Sequence, residues 1–219
     1  MYAALATPAV LRRAPAAPAA SEMRAVGTTR ALRKDEGLFS EGDRAAYFYK
    51  VVKGTVRTFK LLSDGRRQIN AFHMAGDIFG VEAGDEHRFT AEAAEDAVVA
   101  AYRLCGLQTL AASDSAFAAE VLSSMMRALE RAQDHMLLLG RKSALEKIAA
   151  FLLGMAERAG EAAVDLPMCR TDIADHLGLT IETVSRSLTQ LERQGVIELP
   201  AKRRTIVLRD TAALRRLDA

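Results

Sequence analysis

At Ser113 the hydrophobic pattern of this chain changes period, and no other feature limits the fold as much. Upstream, residues 37–103 read as short β-rich runs punctuated by glycine. Downstream, Leu122, Met125, Leu129, Ala132, Met136 and Leu139 recur at intervals of 3, 4, 3, 4 and 3. A period of two and a period of three and a half belong to different elements. The chain therefore reads as α+β, a β unit followed by a long helix.

In the β unit, Tyr47–Val52 is a strand and Lys53-Gly54 a turn. Thr55–Leu61 follows, with Val56, Thr58 and Lys60 on one face and Thr55, Arg57, Phe59 and Leu61 on the other. Ser63-Asp64-Gly65 is a hairpin signal. Gln68–His73 is the returning strand, Ala75-Gly76-Asp77 a further turn and Val98–Tyr102 a late strand. Many short strands at close spacing predict a β-roll or small barrel.

The strict 3-4 alternation after Ser113 describes an a/d seam. Two readings compete: an amphipathic helix lying on the β unit, or a seam that pairs with the same helix of a second chain. A helix packed on a globular core shows a wider apolar stripe, which favours the homodimer. Gly140 is expected to end or bend this helix, because glycine costs about 1 kcal/mol in a helix interior. A second helix then carries Leu145, Ile148, Ala149, Leu152 and Met155 as far as Gly160.

Residues 169–198 hold the chemistry. Arg170–Leu177 reads as a short helix with Ile173, Ala174 and Leu177 inward, and Gly178-Leu179-Thr180 as a turn. Thr180 is a natural N-cap for the helix that follows. There Val184, Leu188 and Leu191 face the core, which leaves Ile181, Glu182, Ser185 and Arg186 together on the other side. This is the helix-turn-helix plan. Against a DNA major groove, Arg186 suits guanine O6 and N7, Glu182 suits cytosine N4, Ser185 suits either edge type and Ile181 suits a thymine methyl. The competing reading is a solvated face with a Glu182–Arg186 i,i+4 pair. Next, Val196–Leu199 and Thr205–Leu208 form a hairpin wing, with Lys202, Arg203 and Arg204 at its tip. Those charges suit phosphate, which positions without specifying; a plain solvated loop is the alternative.

Four segments result: an Ala- and Pro-rich arm at 1–28, expected to be disordered, a β-roll at 29–110, a dimerisation helix at 111–139 and a winged helix-turn-helix at 140–219. Net charge is +2, yet it divides as +5 over 1–34, −5 over 35–139 and +2 over 140–219. That pattern agrees with a nucleic-acid module joined to a separate domain. No run of 18 apolar residues exists, so no membrane span is expected. Arg12 and Arg13 faintly suggest a transit peptide; otherwise a cytoplasmic protein is expected. Cys105 and Cys169 stand alone, without a CxxC pair, which excludes a zinc ribbon. His73, His87, His135 and His176 are scattered, and no metal site or catalytic constellation is expected; the chain does not read as an enzyme.

Taken in order, these motifs resemble the Crp/Fnr superfamily of transcription regulators, and its FixK branch in particular. The resemblance spans roughly residues 35–210. In the β part it rests on Phe39-Ser40-Glu41-Gly42-Asp43, Gly54-Thr55-Val56-Arg57, Asp64-Gly65-Arg66-Arg67-Gln68-Ile69 and Ala75-Gly76-Asp77-Ile78-Phe79-Gly80. In the C-terminal part it rests on Asp172-Ile173-Ala174, Leu177-Gly178-Leu179 and Ile181–Arg186. It implies base contacts by Glu182, Ser185 and Arg186 on TTGAT-type inverted repeats. Thr180, Thr183, Cys169 and the wing are then expected to meet the DNA backbone. It also implies double-stranded DNA and RNA polymerase as partners, and mainly activation of genes for low-oxygen respiration, nitrogen fixation or denitrification.

The same resemblance bears on effectors. Fnr-type iron–sulfur sensors use cysteines clustered in the N-terminal arm; residues 1–104 contain none. The cyclic-nucleotide pattern is out of step at Phe79-Gly80-Val81-Glu82, and Arg88 is followed by Phe89 rather than a small hydroxyl residue. No cofactor is expected, and the protein is expected to act without a bound effector; a cyclic-nucleotide- or haem-gated regulator is the alternative. Cys169 precedes the first helix of the motif beside Arg170, and both a helix N-terminus and a cation favour the thiolate. It is either a redox switch or a small residue at an N-cap.

Overall fold

The β unit holds eight strands: β1 (Thr28–Leu32), β2 (Gly37–Phe39), β3 (Tyr47–Lys53), β4 (Thr55–Leu61), β5 (Arg67–Met74), β6 (Ile78–Phe79), β7 (Thr90–Ala93) and β8 (Ala97–Arg103), of which β3, β4, β5 and β8 are the runs read from the sequence. This computed structural model describes residues 27–200 and 204–218. Residues 1–26 of the expected arm, and Lys202 and Arg203 of the wing, lie outside the described residues. Strand β1 starts at Thr28, paired with Ala101, so the roll begins inside the segment assigned to the arm.

Two antiparallel sheets face each other, ordered β1-β8-β3-β6 and β2-β7-β4-β5. Gly54 joins β3 to β4 at a φ of +77°, and a Cβ built there would lie 2.4 Å from the Asp96 carbonyl oxygen. Only glycine takes both the left-handed backbone and the close approach. The expected alternation along β4 holds, but both of its faces are covered. Val56 enters the roll core with Val51, Val99 and Leu38. Phe59 points the other way and joins the core of the C-terminal unit.

After the roll come α1 (Leu107–Ser113) and α2 (Ser115–Arg141). The sequence suggested one helix from residue 111. Asp114 breaks it instead: its backbone is extended, and its side chain accepts the Phe117 N–H at 2.9 Å, capping α2. Gly140 does not end α2, which continues to Arg141. The break falls at Lys142 because Ser143 starts α3 (Ala144–Ala159) with a capping box, its N–H donating to Glu146 at 2.7 Å.

Helix α2 has two faces. Phe117 and Val121 pack with Phe48, Ile78, Ala100 and Tyr102 of the roll. The Ile78 N–H donates to Ser124 Oγ at 3.1 Å, Lys50 pairs with Glu120, and Arg131 reaches Asp77 at 3.3 Å. On the other face Leu122, Met125, Leu129 and Met136 are exposed, at 47–66% of their surface, beside exposed Ala132 and half-buried Leu139. The predicted seam is therefore not the face that covers the roll.

The C-terminal unit adds β9 (Ala163–Asp165), α4 (Arg170–Leu177), α5 (Ile181–Arg193), β10 (Ile197–Glu198), β11 (Thr205–Leu208) and α6 (Thr211–Asp218). Its sheet runs β10-β11-β9. Its core takes in Phe59, Ile69 and Phe72 from the β4–β5 hairpin, so the two units share apolar packing. Among the described residues, no helix is long and apolar enough to cross a membrane.

Two histidines lie at this junction. The His135 ring of α2 and the His176 ring of α4 stack 4.1 Å apart, and His176 Nδ1 lies 3.1 Å from the Ile69 carbonyl oxygen. Burial, then the neighbouring His135, pushes the His176 imidazole down to about 3; burial pushes His73 down to about 4. Both are neutral in the folded protein, whereas the unfolded chain binds protons below about pH 6.5. Stability therefore falls as pH drops from about 6.5 toward the folded values. Thermal melts across that range should show the midpoint falling, and His176→Gln should flatten part of the slope. A midpoint constant from pH 7 to pH 4 would contradict this.

Candidate nucleic-acid interface

Helices α4 and α5 are held at an angle by the turn between them. Gly178 has a φ of +63°, and Leu179 N–H closes the turn on the Ala174 carbonyl. Lys147 of α3 is buried and donates from Nζ to the Leu177 carbonyl at 3.1 Å, satisfying an otherwise open acceptor at the end of α4. Sequence reading misses Lys147, which looks like any helical lysine. Thr180 Oγ1 accepts the Thr183 N–H at 3.2 Å and caps α5 as expected.

Val184, Leu188 and Leu191 are buried beneath α5. Ile181, Glu182 and Arg186 are exposed on its outer side, with Ser185 half-buried between them. No ion pair among the described residues joins Glu182 to Arg186. Arg186 turns back to Thr183 Oγ1 at 3.4 Å, so both charged ends remain open to solvent. Arg170, the first residue of α4, donates from Nη1 to Ser185 Oγ at 3.2 Å and stands over the same face. Sequence reading placed Arg170 only as the neighbour of Cys169.

Cys169 is the exposed N-cap of α4. Its N–H and its Sγ–H both donate to Asp172 Oδ2, each at 3.3 Å. The group facing the sulfur is thus a carboxylate, while the Arg170 guanidinium is directed to Ser185. The expected arrangement of thiol beside cation is not the one found, because Asp172 at N3 claims the cap.

The wing carries a third strand that sequence reading overlooks. β9 pairs with β11 through Val164 and Ile206, and the Leu166 N–H donates to the Arg204 carbonyl at 2.8 Å. Three residues are too few to show a period. Arg204 is exposed at the hairpin.

The interior of the roll is the other place to look for a ligand. There the Phe39 and His87 rings stack at 3.6 Å, Phe39 and Tyr49 at 5.5 Å, Tyr49 and Phe79 at 5.6 Å, and Phe79 and His73 at 4.5 Å. Burial pushes the His87 imidazole down, so it is neutral. Arg88 is exposed and lies over the Phe89 ring. A cyclic nucleotide needs a cation and donors for its phosphate inside the roll; these residues offer an aromatic column instead and do not fit one.

Comparison with known proteins agrees with this division. Residues 29–114 match the cyclic nucleotide-binding domain family, and residues 146–217 match the Crp-like helix-turn-helix domain family. The chain is 47% identical over 201 residues to the nitrogen fixation regulation protein FixK of Azorhizobium caulinodans, covering 89% of this chain and 81% of that one. It is 43% identical over 181 residues to FixK of Rhizobium meliloti, covering 82% of each. The solved structure of FixK2 from Bradyrhizobium japonicum superimposes with a TM-score of 0.82 at 49% identity, over 89% of this chain and 98% of that one.

Proposed function

Since this chain belongs to the Crp/Fnr family of DNA-binding transcription regulators, on its FixK branch, we propose that it reads TTGAT-type inverted repeats as a homodimer without a bound effector. The observation that carries this reading is the outer face of α5, where Glu182, Ser185 and Arg186 stand together over a buried apolar row. Arg186 gives two parallel hydrogen bonds to guanine O6 and N7, Glu182 accepts from cytosine N4, and Ser185 and Ile181 complete the edge contacts. Thr180, Thr183, Arg204, Lys202 and Arg203 meet phosphate and set the register.

The exposed seam of α2 supports the dimer. Leucines and methionines left in water along one face of a long helix invite a partner with the same face. A two-fold pairing through that seam presents two recognition helices to half-sites about one helical turn apart. Such a protein works in the cytoplasm and recruits RNA polymerase, mainly as an activator. Its genes serve low-oxygen respiration, nitrogen fixation or denitrification; of these, nitrogen fixation is in the names of its FixK relatives. The packed aromatic column supports activity without an effector. Oxidation of Cys169 by peroxide to a sulfinate would add negative charge beside Asp172 and toward phosphate, weakening DNA binding.

Four measurements check this reading. In titrations of reduced protein with labelled duplexes at one salt concentration, a TTGAT inverted repeat should bind tightly and a scrambled duplex weakly, with nothing added. Arg186→Ala should lose about 1–3 kcal/mol on the repeat and relax preference at one base pair; equal losses on specific and random DNA would rule out direct readout. Leu129→Glu should shift the protein from dimer to monomer in sedimentation, and an unchanged mass would remove the seam from the account. Cys169→Ser should bind DNA as the unsubstituted protein does but lose sensitivity to peroxide; retained sensitivity would exclude the switch.

A further inference from the structure

The C-terminal unit is joined to the frame of the molecule by one backbone link, Lys142, between α2 and α3. A body held at one point turns about it. A second attachment, well away from that point, fixes its orientation. The β4–β5 hairpin supplies one. Asp172 of α4, whose side chain is only 3% exposed, accepts from Arg57 Nη1 at 3.2 Å and from Arg67 Nη2 at 2.5 Å. Arg67 Nε donates to Asp175 at 2.8 Å, and Gln68 Nε2 donates to the His176 carbonyl at 3.2 Å. Arg57 is itself held from the roll by Asp35 at 2.9 Å and Glu92 at 2.8 Å.

We propose that this Arg57–Asp172–Arg67 latch is a positioning device that sets which half-site spacing the protein accepts. The proposal rests on the dimeric, inverted-repeat reading above. Its physical basis is the asymmetry of buried charge. A buried carboxylate with two guanidinium partners is tolerated, whereas the same carboxylate with a partner withdrawn is strongly disfavoured. Any other orientation of the C-terminal unit takes both guanidinium partners from Asp172, whereas Arg57 keeps Asp35 and Glu92, so one posture is favoured. Asp172 also caps α4 through the Cys169 N–H, and α4 packs against α5. The latch thereby orients the base-reading helix without touching DNA. The roll, in turn, is fixed to α2, which carries the seam. Half-site spacing follows from the geometry of the two recognition helices in the dimer, and the latch links each recognition helix to that dimer frame.

The test uses the full chain and duplexes carrying TTGAT inverted repeats. One duplex has a four-base-pair spacer; others have spacers one or two base pairs shorter or longer. The unsubstituted protein should prefer one spacer by about tenfold or more. Arg67→Gln should compress that preference to about twofold while leaving its discrimination against scrambled half-sites unchanged. Arg67→Lys, which keeps the charge, should restore much of the preference. If Arg67→Gln weakens every spacing in proportion, the cluster only stabilises the fold and the proposal fails. Should Arg67→Gln fail to fold, Asp175→Asn at the more exposed side of the cluster makes the same comparison, with the same two outcomes. If the unsubstituted protein prefers no spacer and binds a single half-site equally well, the dimeric reading falls, and this proposal with it.

Discussion

The Asp172 carboxylate lies between Arg57 and Arg67, and the posture of the base-reading unit depends on that contact. Removing two charges from water costs several kcal/mol each, and only close, hydrogen-bonded partners offset it. Here the partners come from different units. The arginines stand on neighbouring strands of the roll, and the aspartate stands on the first helix of the helix-turn-helix. Apolar packing of Phe59, Ile69 and Phe72 against the same unit adds area but little direction. The charges add direction, because guanidinium forks accept few angles.

The roll belongs to a family of domains described by the binding of cyclic nucleotides, yet its centre holds Phe39, Tyr49, Phe79 and His87 in ring contact. A small ligand in such a fold works by differential affinity for two arrangements. A roll packed by its own aromatics, with its hairpin already bonded to α4, has its interdomain contacts in place from the outset. The stacked pair His135 and His176 belongs to the same junction and is neutral there, which suits a tight, dry seam between helix, hairpin and reading unit.

Local features of this molecule are written plainly in its sequence, and distant ones are not. The seam from Leu122 to Leu139 shows because its period is internal to one helix. The face of Glu182, Ser185 and Arg186 shows because Thr180 caps the helix and Val184, Leu188 and Leu191 define its buried side. The latch does not show: Arg57 and Asp172 are 115 residues apart, and each alone reads as an ordinary charged residue. Strand β9 is too short to carry a period, and its pairing comes from β11. Gly140 misled because a glycine near a helix end reads as a stop, whereas the Ser143 capping box, two residues beyond the helix, decides the end. Cys169 misled in a similar way. Arg170 is adjacent in sequence, but Asp172, one turn along, is the side chain that reaches the sulfur.

In the proposed dimer the two recognition helices are held ready by the protein's own contacts. Pulsed electron–electron resonance measures this directly. Spin labels would be placed at Gln190→Cys on α5, in a chain with Cys105 and Cys169 changed to serine. One narrow inter-label distance is expected in the free dimer, near the roughly 34 Å spacing of successive major grooves plus the label arms. That distance should be unchanged when the TTGAT duplex is added. A broad distribution in the free protein, narrowing only with DNA or a small molecule, would contradict it.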